Sequence, residues 1–293
     1  MTYCFRTLAL ALVIFAAPAF ATEVTDFFDQ KVSLDQPAQR IVALAPHIVE
    51  NVFSAGAGDR LIAAVSYSDY PPAARELPQL GSFKAISVES VLALEPDLVL
   101  AWASGNGENV IRQMRRLGLN VYTDEPRDLE DVARVIRDIG ALAGTEEAAE
   151  KEADRFLETL AGLRQRYSGA EPVSVFYQVW NDPLQTLNGE HIISDVIRLC
   201  GGRNVYADAA TIAPVINRES ILDRDPEVIV ASGMGEERPE WLEEWRRWPG
   251  LTAVSKNNLF FVPPDIIQRH TVRILDGAQL FCDHIAQARE HLQ

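Results

Sequence analysis

Apolar residues in this chain follow two rhythms. One is the short unbroken run: Ile41-Val42-Ala43-Leu44-Ala45 ahead of Pro46, and similar stretches at 61–65, 173–179 and 259–262. Runs with no regular polar alternation predict strands covered on both faces, as in parallel sheets flanked by helices. The other rhythm recurs every three to four positions. Ile48, Val49, Val52 and Phe53 share one face of a helix predicted over 47–57, which Gly56 and Gly58 bring to an end. The same spacing predicts helices over 109–117, 128–143, 192–199, 240–248 and from 271 toward 291, with a strand at 120–123. Residues 22–39 are polar and irregular and predict a lead-in with a small hairpin. Strands alternating with helices imply an α/β protein with mostly parallel sheets.

One stretch occurs twice. Residues 89–101 read E-S-V-L-A-L-E-P-D-L-V-L-A, and 219–231 read E-S-I-L-D-R-D-P-E-V-I-V-A, 130 positions later. Each copy predicts a short helix, a proline that bars its continuation, an acid, and a buried strand. Two copies rather than several predict two similar α/β lobes rather than a solenoid. Between them, Gly144-Thr145-Glu146-Glu147 opens a helix that runs to about Tyr167, with Thr145 as candidate N-cap and acids in the first turn. A helix of this length joins the lobes rigidly, unlike a Gly/Ser linker. The expected organisation is a leader at 1–21, an N-terminal lobe at 22–143, a connecting helix at 144–168 and a C-terminal lobe at 169–293.

Composition adds three constraints. A formal net charge of −15 disfavours nucleic acid as a partner, since phosphate binding requires a basic face. The first 21 residues combine Arg6, an apolar stretch and Ala19-Phe20-Ala21, which reads as a secretory signal peptide. Cys4 precedes the apolar stretch and does not fit a lipoprotein cleavage site, so the mature protein is expected to be soluble. Removing the leader leaves Cys200 and Cys282. An even count in an exported chain points to a disulfide stapling the second lobe, two buried thiols being the alternative.

No catalytic signature is present: no G-x-S-x-G, P-loop, G-x-G-x-x-G or C-x-x-C. The five histidines, His47, His191, His270, His284 and His291, are scattered, and their sequence spacing offers no three-ligand zinc site. His284 and His291 are expected in solvent. Aromatic residues instead gather at strand ends and in the loops that follow: Tyr67, Tyr70, Phe83 and Trp102 in the first half, Tyr177 and Trp180 in the second. Ligands of open α/β sheets bind outside the carboxyl ends of the strands. Two lobes facing each other would therefore make a cleft lined with rings, suited to a large, flat, partly apolar ligand. Arg269-His270, after Pro263-Pro264, is placed to add polar contacts at its edge.

L-A-P-H-I-V-E at 44–50, S-Y-S-D-Y-P-P at 66–72, E-P-D-L-V-L-A-W at 95–102 and D-V-I-R-L-C-G-G-R-N at 195–204 together resemble the periplasmic cobalamin-binding proteins. Those belong to the helical-backbone substrate-binding proteins that serve ABC importers of cobalamin, haem and ferric siderophores. The resemblance spans nearly all of the mature chain. It implies a monomer of two lobes joined by one long helix, with limited closure on binding. It implies a corrinoid carried as cargo in the cleft, with no cofactor and no catalysis. Tyr67, Phe83, Trp102 and the segment Asp265, Ile266, Ile267, Gln268 and Arg269 stand at the matching positions. It also implies that Glu89 and Glu219, at equivalent places in the two repeats, dock into arginines of an inner-membrane permease.

Two departures bear on the ligand. Ile212-Ala213-Pro214 stands where cobalamin binders can carry an aromatic, and Phe83 where a tryptophan is expected. Trp180 is placed to compensate. These leave a haem or ferric-siderophore binder as the alternative, with His270 and Tyr67 as candidate axial ligands for haem. An exported metal-dependent enzyme built on the scattered His and Asp residues is the reading from another class.

Overall fold

The buried strand runs form two separate four-stranded parallel sheets. The computed structural model describes residues 22–233 and 238–293. The leader expected at 1–21 lies outside the described residues. The chain enters on an antiparallel hairpin, β1 (Thr22–Thr25) and β2 (Lys31–Leu34). The first lobe then winds through β3 (Ile41–Ala43), α1 (Pro46–Ser54), β4 (Leu61–Ala64), α2 (Val88–Leu92) and β5 (Leu98–Trp102). It continues with α3 (Ala103–Asn106), α4 (Glu108–Arg116), β6 (Val121–Asp124) and α5 (Leu129–Ala143). Its sheet has the order β4-β3-β5-β6.

Helix α6 (Glu146–Tyr167) leads to the second lobe. There the order is β7 (Val173–Gln178), a two-residue-per-strand hairpin of β8 (Trp180–Asn181) and β9 (Leu184–Gln185), α7 (Ile192–Leu199) and β10 (Gly202–Asn204). Then come α8 (Arg218–Arg224), β11 (Val228–Ala231), α9 (Thr252–Ser255), β12 (Leu259–Phe261), α10 (Pro264–Ile267) and α11 (Ile274–Leu292). The second sheet has the order β10-β7-β11-β12. Each lobe thus places the strand that follows the repeated helix third in its sheet, and the duplicated sequence has a duplicated place in the fold.

Side-chain alternation between two covered faces explains why the central strands β3, β5 and β11 are apolar almost throughout. Ile41, Leu98 and Leu100 face one core of the first sheet, while Val42, Val99 and Ala101 face the other. In the second sheet Val173, Val175, Val228 and Val230 point to the first of these cores, and Phe176, Ile229 and Ala231 to a separate third core within the second lobe. The inner faces of both sheets therefore contribute to one continuous core. Ala149, Ala153, Phe156 and Leu160 of α6 run through it. At 22 residues, α6 is about 33 Å long. It packs on α1 and α5 of the first lobe and on α7 and α11 of the second. Arg137 of α5 holds Glu150 and Asp154 of α6 at 2.7 Å, and Tyr167 donates to Asp283 of α11 at 3.0 Å.

Several sequence expectations change in detail. Thr145 occupies the N-cap position of α6 but makes no side-chain cap: its hydroxyl donates to the Ala55 carbonyl at 2.7 Å, tying the helix to the end of α1. The segment 240–247 is a 3-10 helix. The stretch after Trp102, expected as loop, begins with the helical turn α3, held by Asn106 Oδ1 accepting from the Trp102 N–H at 2.7 Å. His284 and His291 are engaged rather than solvated. His284 stacks on Phe260 and meets the Phe261 carbonyl at 3.1 Å, and His291 meets Asn258 at 2.8 Å. Cys200 and Cys282 form a disulfide between the end of α7 and α11, with Cα atoms 4.6 Å apart.

Candidate functional site

The carboxyl ends of the two sheets face each other. From the first lobe come the 66–72 loop after β4, His47 at the start of α1, Trp102 ending β5, and Asp124-Glu125 at the end of β6. From the second come the turn after β7, His191 ahead of α7, and the segment 263–273 after β12. Contacts cross the gap at several points, and these decide where a ligand can enter.

At one end the lobes are tied by charge. Glu50 of α1, 3% exposed, accepts from Arg273 Nε at 2.9 Å and Nη2 at 2.7 Å, and from Arg269 Nη1 at 2.8 Å. Arg269 also holds Asp69 at 2.8 Å and Asp265 at 2.9 Å. Arg273 lies over the Tyr70 ring at 3.9 Å. Burial opposes the charge of Arg269, but the bonds from Asp69 and Glu50 outweigh it and hold the guanidinium above its ordinary value. Asn51 adds a bond to the His270 carbonyl at 3.0 Å.

In the middle, rings meet edge to face or at a tilt. Trp102 packs against His47 at 5.3 Å, His270 at 6.1 Å and Phe83 at 5.7 Å between centroids. His270 lies 5.2 Å from His47 and 5.5 Å from His191. Three histidines scattered in sequence therefore converge. They do not form a metal centre: among the described residues no cluster of His, Cys, Asp or Glu has ligand geometry. His47 instead pairs with buried Asp124 at 3.1 Å. His191 Nδ1 accepts from the Ile193 N–H at 3.2 Å, capping α7. Burial pushes the His191 imidazole down to about 4. Burial, then the charges of His47 and His191, push His270 well below its usual range. Its Nδ1 is buried without a hydrogen-bond partner among the described residues.

At the other end, beside the Trp102 turn, opens a cavity of about 560 Å³. Phe28, Ser104, Ile111 and Arg127 of the first lobe line it, and Ile212 of the second. Glu125, in its wall, accepts from the Ser104 N–H at 2.8 Å and hydroxyl at 3.0 Å; burial nonetheless raises its carboxyl above the usual range.

The predicted residues distribute unevenly over this site. Trp102 and Phe83 lie together at the seam. Tyr67 is 73% exposed, with φ 67°. Trp180 stands on β8 with its indole N–H tied to the Asp182 carbonyl at 2.9 Å. Gln268 donates to the Ser232 carbonyl at 2.6 Å, and Asp265 and Arg269 form the ion-pair cluster. Ile266 packs at the core margin, while Ile267 is fully buried, so its side chain belongs to the core rather than the cleft. Tyr177 likewise leaves the list of cleft aromatics. It shares the parity of Val173 and Val175 on β7 and packs against Phe281, and burial pushes its hydroxyl up to about 12. Sequence reasoning missed Glu50, Asp124 and Arg273, whose partners lie 77 or more positions away, and the cavity lining apart from Ile212.

The chain belongs to the periplasmic binding protein family, whose model matches residues 41–266. It is 35% identical over 255 residues to the vitamin B12-binding protein of Vibrio cholerae serotype O1, covering 87% of this chain and 91% of that one. The vitamin B12-binding protein of Yersinia pestis is 34% identical over 86% of this chain and 88% of its own length. The crystal structure of the periplasmic vitamin B12 binding protein of Vibrio cholerae superposes with a TM-score of 0.80 at 34% identity, covering 86% of this chain and 98% of that one. The periplasmic heme-binding protein RhuT from Roseiflexus sp. RS-1 superposes with a TM-score of 0.75 at 21% identity, covering 86% and 99%, a likeness of fold.

Proposed function

We propose that this protein captures a cobalamin-type corrinoid between its lobes and delivers it to an ABC importer of the inner membrane. It works in the periplasm as a monomer once the leader at 1–21 is removed, and it catalyses no reaction and needs no cofactor. The observation that carries this reading is identity above 30% to vitamin B12-binding proteins across both lobes, whereas likeness to the heme-binding structure is of fold alone. The chemistry agrees. Trp102 and Phe83 offer apolar ring surface at the seam, and Tyr67 and Trp180 offer more from either lobe. A flat macrocycle with amide side chains needs stacking, apolar burial and a few hydrogen bonds.

The repeated glutamates fit a docking role. Glu89 is the second residue of α2, after Ser87, whose hydroxyl accepts from the Ser90 N–H at 3.1 Å. Glu219 is the second residue of α8, after Asn217, which accepts from the Ser220 N–H at 2.8 Å. Both side chains are exposed. Two carboxylates presented identically by two lobes suit a permease of two-fold symmetry.

A haem ligand is the second reading, favoured by the buried, unpartnered Nδ1 of His270 at the seam. A siderophore finds less support: Arg269 and Arg273, at the charged end of the seam, are already engaged by carboxylates. Calorimetric titration with cyanocobalamin, hemin and a ferric siderophore decides among them. Saturable one-to-one binding of cyanocobalamin is expected. Binding of hemin or siderophore in its place would keep the carrier role and change the cargo.

A further inference from the structure

We propose that Asp69 and Arg269 form an autoinhibitory latch, which arriving cargo must break and whose release frees the 66–72 loop to fold over that cargo. This rests on the reading of the cleft as the cargo site. Tyr67 and the segment 265–269 stand at positions matched to the ligand, yet here their two segments hold each other. Asp69 accepts from Arg269 Nη1 at 2.8 Å, and Tyr70 lies against the Arg273 guanidinium at 3.9 Å. A macrocycle that touches both segments has no room between groups in direct contact. Tyr67 meanwhile keeps its ring in solvent.

The charges of the cluster make this contact separable. Two guanidiniums, Arg269 and Arg273, meet three carboxylates, Glu50, Asp69 and Asp265. One carboxylate is surplus. Glu50 is buried and accepts from both arginines. Asp265 precedes Arg269 by four residues and travels with it. Asp69 is half-exposed and comes from a loop of the other lobe. Withdrawing Asp69 leaves one carboxylate for each guanidinium, so the latch opens without stranding a buried charge. The loop is also built to leave. At its two bases the Ser66 N–H donates to the Gly81 carbonyl and the Ala74 N–H to the Pro71 carbonyl, both at 2.8 Å. Between the bases its own lobe holds it by longer bonds, Ser68 N–H to the Val65 carbonyl at 3.3 Å and Arg75 Nε to the Asp69 carbonyl at 3.2 Å. The buried Ser68 hydroxyl has no hydrogen-bond partner among the described residues. Tyr67, at φ 67°, holds a left-handed conformation that costs a tyrosine energy and persists only while its surroundings enforce it. Both penalties oppose the latched position, and the contacts to Arg269 and Arg273 hold the loop against them.

The test compares wild type with Asp69→Ala, which removes both the charge and the acceptor at a half-exposed position. In the cargo-free protein, hydrogen–deuterium exchange of the 66–70 amides is expected to quicken by about five-fold in the variant. In calorimetry at about 20 mM salt, the variant is expected to bind cyanocobalamin about five-fold more tightly, because more of it is open to cargo. Raising salt to about 0.5 M should bring wild type toward the variant, since a half-exposed ion pair is screened and a ligand of no net charge is not. Unchanged loop exchange, or cyanocobalamin bound no more tightly by Asp69→Ala, would overturn the latch and leave the corrinoid reading standing. Failure of both proteins to bind cyanocobalamin would overturn the corrinoid reading, and the same comparison with hemin would then decide the latch.

Discussion

Glu50 and Arg273 form a bidentate ion pair across the two lobes, Nε to Oε2 at 2.9 Å and Nη2 to Oε1 at 2.7 Å. Glu50 is almost wholly out of solvent, and its Oε1 also accepts from Arg269. A charge buried this way is costly when its partner is lost. Glu50→Gln is therefore expected to lower the unfolding free energy by about 3 kcal/mol. Asp69→Asn, at the half-exposed edge of the same cluster, should cost less than about 1 kcal/mol. Urea denaturation of both variants checks the contrast, and equal losses would mean that burial is not what sets the energy of this cluster.

Acid should loosen the seam. The His191 imidazole is held at about 4, below its ordinary 6.5, so it favours the folded state when neutral. Its contribution is complete above pH 6.5 and is lost as pH falls toward 4. Glu125 and Asp138, raised by burial, act in the opposite sense over an overlapping range. The difference between wild type and His191→Asn isolates the histidine. Asparagine can accept the Ile193 N–H as an N-cap and never charges. Stability measured by denaturant between pH 7 and pH 4 should fall less steeply in the variant; parallel curves would remove His191 from the explanation.

The disulfide closes a separation of 82 residues between α7 and α11. Loop-closure entropy assigns it about 4–5 kcal/mol. Replacing Cys200 and Cys282 by serine should shift the urea midpoint accordingly, and adding reductant to wild type should reproduce the shift.

Reversing the charge at Glu89 and Glu219 should abolish transport while leaving cargo affinity unchanged, because both side chains stand exposed. Uptake assays paired with calorimetry separate the two effects. A collapse of affinity would place the glutamates in the binding function instead of docking.

Local pattern carried much of this fold. The α6 span and the α7 span were readable because their apolar spacing and flanking glycines are local signals. The duplicated helix-proline-strand unit gave the two lobes. What the sequence did not display was pairing at a distance. Nothing near Glu50 announces Arg269 and Arg273, more than two hundred positions on. His47, His191 and His270 look isolated until the two sheets face each other. Tyr177 misled for a different reason: its place near a strand end suggested the cleft, but residue parity on β7 turns it inward. Phe28 gave no sign at all, since a phenylalanine in a polar lead-in gains meaning only when the hairpin turn meets α4 and β6.

The core shared by both sheets has a consequence for how the chain acquires its structure. α11 follows every other described element, yet Ile274, Ala278, Phe281 and Ile285 sit in the same core as Ile41 and Leu98 of the first lobe. A chain emerging N-terminus first can assemble neither this core nor the Cys200–Cys282 bridge until α11 has arrived. Until then it carries exposed apolar surface, the form that chaperones recognise.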